Sequence, residues 1–93
     1  RFAVPSPNPS SGETRFAFVV PSYAAVDLSV YDVRGRRVRR VLKEESEARE
    51  FVLGWDGRDD RGRTLASGTY YARLRVRGPG MDETLVRKVV SVR

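Results

Sequence analysis

Hydrophobic residues recur at every second position through most of this chain, the period of a strand with one buried face. In TRFAFVV, residues 14–20, the alternation sets Phe16, Phe18 and Val20 on one face and Arg15 and Ala17 on the other. Pro21, with no N–H to give a ladder, ends the run. Residues 25–42, AVDLSVYDVRGRRVRRVL, read as two strands about a tight turn. Val26, Leu28 and Val30 point inward between Asp27, Ser29 and Tyr31, and Gly35 supplies the positive φ that a hairpin turn requires. Val38 and either Val41 or Leu42 carry the inward face of the return strand, with the arginines between them directed to water. EFVLGW repeats the pattern with Phe51, Leu53 and Trp55. TYYARLRVR shows it most cleanly: Tyr70, Ala72, Leu74 and Val76 inward, Tyr71, Arg73, Arg75 and Arg77 outward. Gly78-Pro79-Gly80 closes that strand, and DETLVRKVVSVR forms the last one, where a slip of parity near Arg87-Lys88 predicts a bulge.

Helical signals are nearly missing. LKEESEARE, residues 42–50, contains helix formers but no apolar stripe, and reads as a polar loop with at most one short turn. VPSPNPSSGET, residues 4–14, is rich in proline and serine, which makes it an extended lead-in rather than a central strand. The expected organisation is a lead-in or linker over residues 1–12 and a sandwich over residues 13–93, with no internal repeat. Six or seven short strands separated by turn signals predict an all-β, antiparallel β-sandwich.

With 93 residues the chain is one small domain, with little room for both a core and a deep cleft. It has no cysteine, which excludes disulfides and thiolate metal sites, and no histidine, which removes the usual general base and the commonest metal ligand. No cofactor is expected. No apolar run reaches the length of a membrane span. Since it starts at Arg1 rather than Met, the chain is expected to be an excised or processed segment. The net charge is +6, and 16 of the 18 basic residues are arginine, so nucleic acid has to be considered as a partner. Against it, the charges are spread along the chain among 12 acids, and RGRRVRR, residues 34–40, has no stacking aromatics interleaved. Nucleic acid is therefore not the expected partner, and RGRRVRR reads as a solvated hairpin.

The densest chemistry lies in GWDGRDDRGRTLASGTYYARL, residues 54–74. Asp56, Asp59 and Asp60 suggest paired carboxylates, but Arg58, Arg61 and Arg63 beside them favour the ionised form of all three, which suits no acid catalyst. A calcium loop built on Asp56, Asp59 and Asp60 is also the weaker reading: Gly57 and Arg58 stand where alternate ligands belong, and the arginines repel a cation. The preferred reading is a double turn. Aspartate side chains accept from backbone N–H groups, Gly57 and Gly62 provide the left-handed positions, and Trp55 and Tyr70 anchor the two ends. Tyr71, Arg73, Arg75 and Arg77 form either a recognition platform or a solvated face whose arginines protect an edge strand, the second being preferred.

The ordered set PNPSSGETRFAFVVP, VDLSVYDVRGRRVRRVL, GWDGRDDRGRTLASGTYYARL and TLVRKVVSVR resembles the C-terminal Ig-like domains related to the flagellar hook-capping protein FlgD, and equally the type A sorting domains of the bacterial type IX secretion system. The resemblance runs from Pro7 to Arg93 and implies an immunoglobulin-like sandwich of about seven short strands on a larger secreted or cell-surface protein. It maps onto Pro7, Asn8 and Pro9, onto Tyr31, Asp32 and Gly35, onto Gly68 and Tyr70, and onto Lys88, Val89 and Val90. The family usually has an aromatic soon after the PNP, where this chain has Ser10 and Ser11. The implied function is non-catalytic: a sorting or attachment domain recognised by secretion machinery or a cell-surface component, through the last strand and the loops. Two alternatives stand beside it, a structural assembly domain that self-associates through strands and loops, and a carbohydrate-binding accessory domain using Tyr71 or Tyr23. Tyr71, Arg73, Arg75, Arg77, Lys88, Val89 and Val90 are the candidate recognition surface.

Overall fold

In the computed structural model, which describes residues 2–9 and 11–92, the alternating segments become six strands. They are β1 (Thr14–Val20), β2 (Ala24–Tyr31), β3 (Arg37–Ser46), β4 (Arg49–Trp55), β5 (Gly68–Gly78) and β6 (Met81–Ser91). All pairings are antiparallel; β1 and β4 make one sheet, and the order β3-β2-β5-β6 makes the other. The N-terminal arm runs along the other side of β1, where Phe2 bridges Phe18 and Ser6 bridges Arg15. It occupies the place of a seventh strand without being one, since Pro5, Pro7 and Pro9 have no N–H for a continuous ladder.

The apolar faces meet between the sheets. Phe16, Val20, Leu28, Val30, Ala72 and Val89 have no exposed surface, and Trp55 and Leu74 keep only 1%. Each of the larger of these side chains, the valines, leucines and Phe16, contributes roughly 1.5–3 kcal/mol by leaving water, the term that holds so small a sandwich together. Aromatic contacts reinforce the core: Trp55 of β4 meets Tyr70 of β5 edge-on at 5.6 Å across the two layers, and within the smaller sheet Phe18 of β1 stacks on Phe51 of β4 at 4.9 Å. The Tyr70 hydroxyl donates to the Ala66 carbonyl at 2.6 Å, tying the start of β5 to the loop before it in the manner of the corner tyrosine of immunoglobulin sandwiches.

Three details depart from the sequence pattern. Residues 42–50 are mostly strand, not a polar loop: β3 continues to Ser46 and β4 begins at Arg49. Glu44 and Glu45 stay paired with Val26 and Ala25 because an edge strand needs no apolar stripe to hold its ladder. The bulge expected near Arg87-Lys88 is absent, since β5 and β6 keep one register from Gly78↔Met81 to Gly68↔Ser91. The parity slip is instead an arginine on the inner face. Arg87 lies over the Phe2 ring at 5.4 Å and donates to the Phe2 carbonyl at 2.8 Å. The register shifts fall in β3, between the partners of Leu28 and Ser29 and of Val30 and Tyr31. Leu42 is therefore the residue opposite Leu28, and Val41 and Val38 are the extra residues.

Candidate functional site

Aspartate and glycine build the loop after β4, as local chemistry dictates. Asp56 accepts from the Arg58 N–H at 3.0 Å, Gly57 takes φ 79°, and the Trp55 indole N–H donates to the Arg58 carbonyl at 2.9 Å. Asp59 then repeats, residue for residue, what Asp32 does in the β2–β3 turn. Asp32 Oδ1 accepts from the N–H groups of Arg34 and Arg36 at 2.9 and 3.0 Å, and Oδ2 from Arg36 Nε at 3.0 Å. Asp59 accepts from Arg61 and Arg63 N–H, both at 2.9 Å, and from Arg63 Nε at 3.0 Å. Gly35 and Gly62 carry the same positive φ, 82° and 83°. DVRGR and DDRGR are thus one five-residue turn motif used twice, which corrects the expectation of no internal repeat; the signal was the shared D-x-R-G-R spacing. The backbone N–H of Arg36 lowers the Asp32 carboxyl below its ordinary 3.8, that of Arg63 does the same for Asp59, and in both the loss of hydration works the other way.

These carboxylates turn toward the chain, not toward a common ligand. Asp60 Oδ1 accepts the Arg40 N–H at 2.9 Å while the Asp60 N–H donates to the Val38 carbonyl at 3.0 Å. The residue therefore acts as a one-residue strand on the outer edge of β3. Arg39 reinforces the contact, 3.4 Å from Asp56 and 3.3 Å from the Arg58 carbonyl. Among the described residues no three acid side chains converge as a metal cluster. An open groove beside the two turns is lined by Arg36, Arg37, Arg61 and Arg63 together with Asp59, Asp60, Val38 and Leu65.

At the opposite edge of the same sheet, Asn8 plays the part that Asp60 plays on β3. Its side-chain N–H donates to the Lys88 carbonyl at 3.0 Å, and its side-chain oxygen accepts the Val90 N–H at 2.8 Å. A side-chain amide thus stands in for a peptide group and ties the PNP lead-in to the closing KVV, two segments 80 residues apart. Sequence reasoning placed both in the family pattern without showing that they touch. Ser10, in the position where an aromatic was expected, lies outside the described residues, as do Arg1 and Arg93.

The candidate recognition residues collect on the outer face of the four-stranded sheet. Tyr71 is paired with Tyr31 and Lys88, Arg73 with Ser29 and Val86, Arg75 with Asp27 and Thr84, and Arg77 with Ala25 and Asp82. Arg73 stacks on the Tyr31 ring at 4.7 Å, and Arg75 pairs with Asp82 at 3.4 Å. Val89 is a correction: it is fully buried opposite Tyr70, so it belongs to the core and not to the surface, while Lys88 is exposed and Val90 half-buried. A second correction concerns edge protection. β5 lies between β2 and β6, so its arginines guard no edge; the edges are β3 and β6. Tyr23 sits before β2, donates its hydroxyl to Glu45, and lies at the other end of the sheet from Tyr71, so the two tyrosines form no joint platform.

A family model, that of the FlgD Ig-like domain, matches residues 6–79, a span that stops short of β6. No curated protein matches the chain. Among solved structures, dimeric latent PorU from Porphyromonas gingivalis superposes with a TM-score of 0.78 at 24% identity, over 98% of this chain and 9% of PorU. FlgD from P. aeruginosa superposes with a TM-score of 0.65 at 21% identity, over 95% of this chain and 70% of that one. At these identities the likeness shows the fold alone, and the chain spans about a tenth of the PorU molecule.

Proposed function

Because the chain belongs to the FlgD Ig-like domain family, we propose that it is a non-catalytic recognition module of a larger exported bacterial protein, serving as a sorting or attachment domain for type IX-like secretion. The observation that carries this reading is where the exposed aromatic and basic groups lie. Exposed aromatic and basic groups, Tyr71, Arg73, Arg77 and Lys88, share one sheet face, while Asp59 and Asp60 are spent on a turn and a strand edge and the acids of that face, Asp27 and Asp82, pair with Arg40 and Arg75. A face of this kind suits docking to another macromolecule, since aromatic and arginine side chains combine large contact area with directed donors. The likeness of fold to PorU and to FlgD is compatible with it.

In this reading residues 1–12 are the arm that joins the module to its parent, and residues 13–93 are the sandwich. Secretion machinery or a cell-surface component contacts the outer face and the last strand, and the protein reaches the cell surface or the medium. Fusing residues 1–93 to a periplasmic reporter in a type IX-competent host tests it. Export of the reporter is expected, with loss of export when Arg73 and Lys88 are both reversed to Glu in a variant that keeps its melting temperature. A reporter that stays in the periplasm sinks the reading.

A further inference from the structure

β6 is the last strand of its sheet, and among the described residues no strand pairs along its outer side. Asn8 takes the Lys88 carbonyl and the Val90 N–H from that side. Backbone groups two residues apart point the same way, and the β5–β6 register is unbroken, so Asp82, Thr84 and Val86 also turn their N–H and C=O groups outward. The Val86 carbonyl takes one bond from Arg87 Nη1 at 3.0 Å and keeps its second lone pair. Along this edge the sequence is DETLVRK, residues 82–88: two acids, Leu85 at the middle, two bases.

Such a strand is complementary to itself when reversed. Against a second copy running antiparallel about Leu85, Asp82 meets Lys88, Glu83 meets Arg87, and Thr84 meets Val86. Alternation keeps the partners on matching faces, Asp82 with Lys88 outside and Glu83 with Arg87 inside. The outward backbone groups of Thr84 and Val86 face those of Val86 and Thr84, as a hydrogen-bonded ladder requires. A parallel, in-register pair would set like charges together. We propose that the β6 edge is a homodimerisation surface, in which two copies pair antiparallel about Leu85 and join two four-stranded sheets into one.

Asn8 limits this contact. Held on Lys88 and Val90, it stops the backbone ladder short of Lys88, leaving residues 82–86 and the flanking ion pairs to carry the association. The dimer is accordingly weak, sensitive to salt, and strengthened when Asn8 is removed. This inference shares β6 and Lys88 with the sorting reading but does not rest on it, and it is tested without secretion.

Sedimentation equilibrium of the 93-residue chain provides the test. Asp82→Lys and Lys88→Glu should each weaken association about tenfold or more, because each opposes like charges twice across the twofold axis. A one-to-one mixture of the two variants should restore it. The lysine introduced in one variant then faces the glutamate introduced in the other, and the unaltered Lys88 of the first faces the unaltered Asp82 of the second. Asn8→Ala should strengthen association roughly tenfold. Thr84→Pro removes an outward N–H while sparing the β5 ladder, and should abolish association with Trp55 still buried by its emission. The proposal is overturned by a mixture that associates no better than either variant alone, or by a dimer that survives Thr84→Pro. It is equally overturned if wild type and Asn8→Ala both remain monomers at about 1 mM, which would leave the edge to a strand of a different protein.

Discussion

Replacing Asn8 by alanine removes both bonds that fasten the lead-in to β6, one donated to the Lys88 carbonyl and one accepted from the Val90 N–H. A net hydrogen bond contributes about 0.5–1.5 kcal/mol, and Asn8 is exposed, so the lower half of that range applies to each. Lys88 and Val90 return to water and leave no buried orphan. The expected loss is about 1–2 kcal/mol, which for a domain of this size lowers Tm by roughly 5–15 °C. Urea unfolding followed by the emission of Trp55, the sole tryptophan and 1% exposed, reads this directly at micromolar concentration. Asn8→Asp separates the two bonds: its carboxylate still accepts from Val90 but opposes the Lys88 carbonyl, so it should lose at least as much as one bond. Stability of Asn8→Ala within about 0.3 kcal/mol of wild type would show that the clasp contributes nothing beyond what an ordinary surface change does.

The folded pKa values of Asp32 and Asp59 lie below 3.8, so the stabilisation they supply is complete above that value and disappears as pH falls through the folded pKa; acid unfolding should steepen below about pH 4, and Asp32→Asn with Asp59→Asn should flatten it, an unchanged acid limb counting against the twin turns. A methyl group on Gly78 would come within 2.7 Å of the Tyr23 carbonyl oxygen, a backbone atom, so Gly78→Ala should cost about 1–3 kcal/mol in thermal melts. Gly54→Ala would meet only the end of the Glu13 side chain, which can swing away, and should stay within about 0.5 kcal/mol of wild type; equal effects at the two glycines would refute the steric argument. Asp56→Ala gives up the bond from Arg58 N–H and should lower stability by about 1 kcal/mol before any binding or export is affected. Loss of function at an unaltered melting temperature would make Asp56 a contact residue instead.

The hydrophobic alternation was legible because each inner face is decided locally: Phe16, Phe18 and Val20, or Tyr70, Ala72, Leu74 and Val76, are buried as period two requires. Turn chemistry was legible for the same reason, since Gly57 takes positive φ directly after Asp56, and Gly35 and Gly62 do so three residues after Asp32 and Asp59. Where alternation fails, its cause is long-range. Arg87 breaks parity because a distant phenylalanine, Phe2, receives its guanidinium, and β3 runs through an acidic stretch because β2 offers it a ladder regardless of side chain. Val89 looked like part of an exposed ending until β6 proved to be in unbroken register with β5, which turns it onto Tyr70.

By itself the sequence determined an all-β sandwich, its core faces, the aspartate-glycine turns and the family pattern, because periodicity and turn propensity act over a few residues. Tertiary structure alone decided which strands are edges, and with that what the polar residues do. Asp60 and Asn8 became edge caps on β3 and β6, and Arg73, Arg75 and Arg77 became the face of a central strand. Strand order depends on pairings such as Ala25 with Arg77, and the cap on β6 on a contact between Asn8 and Lys88; no local propensity encodes contacts over such separations.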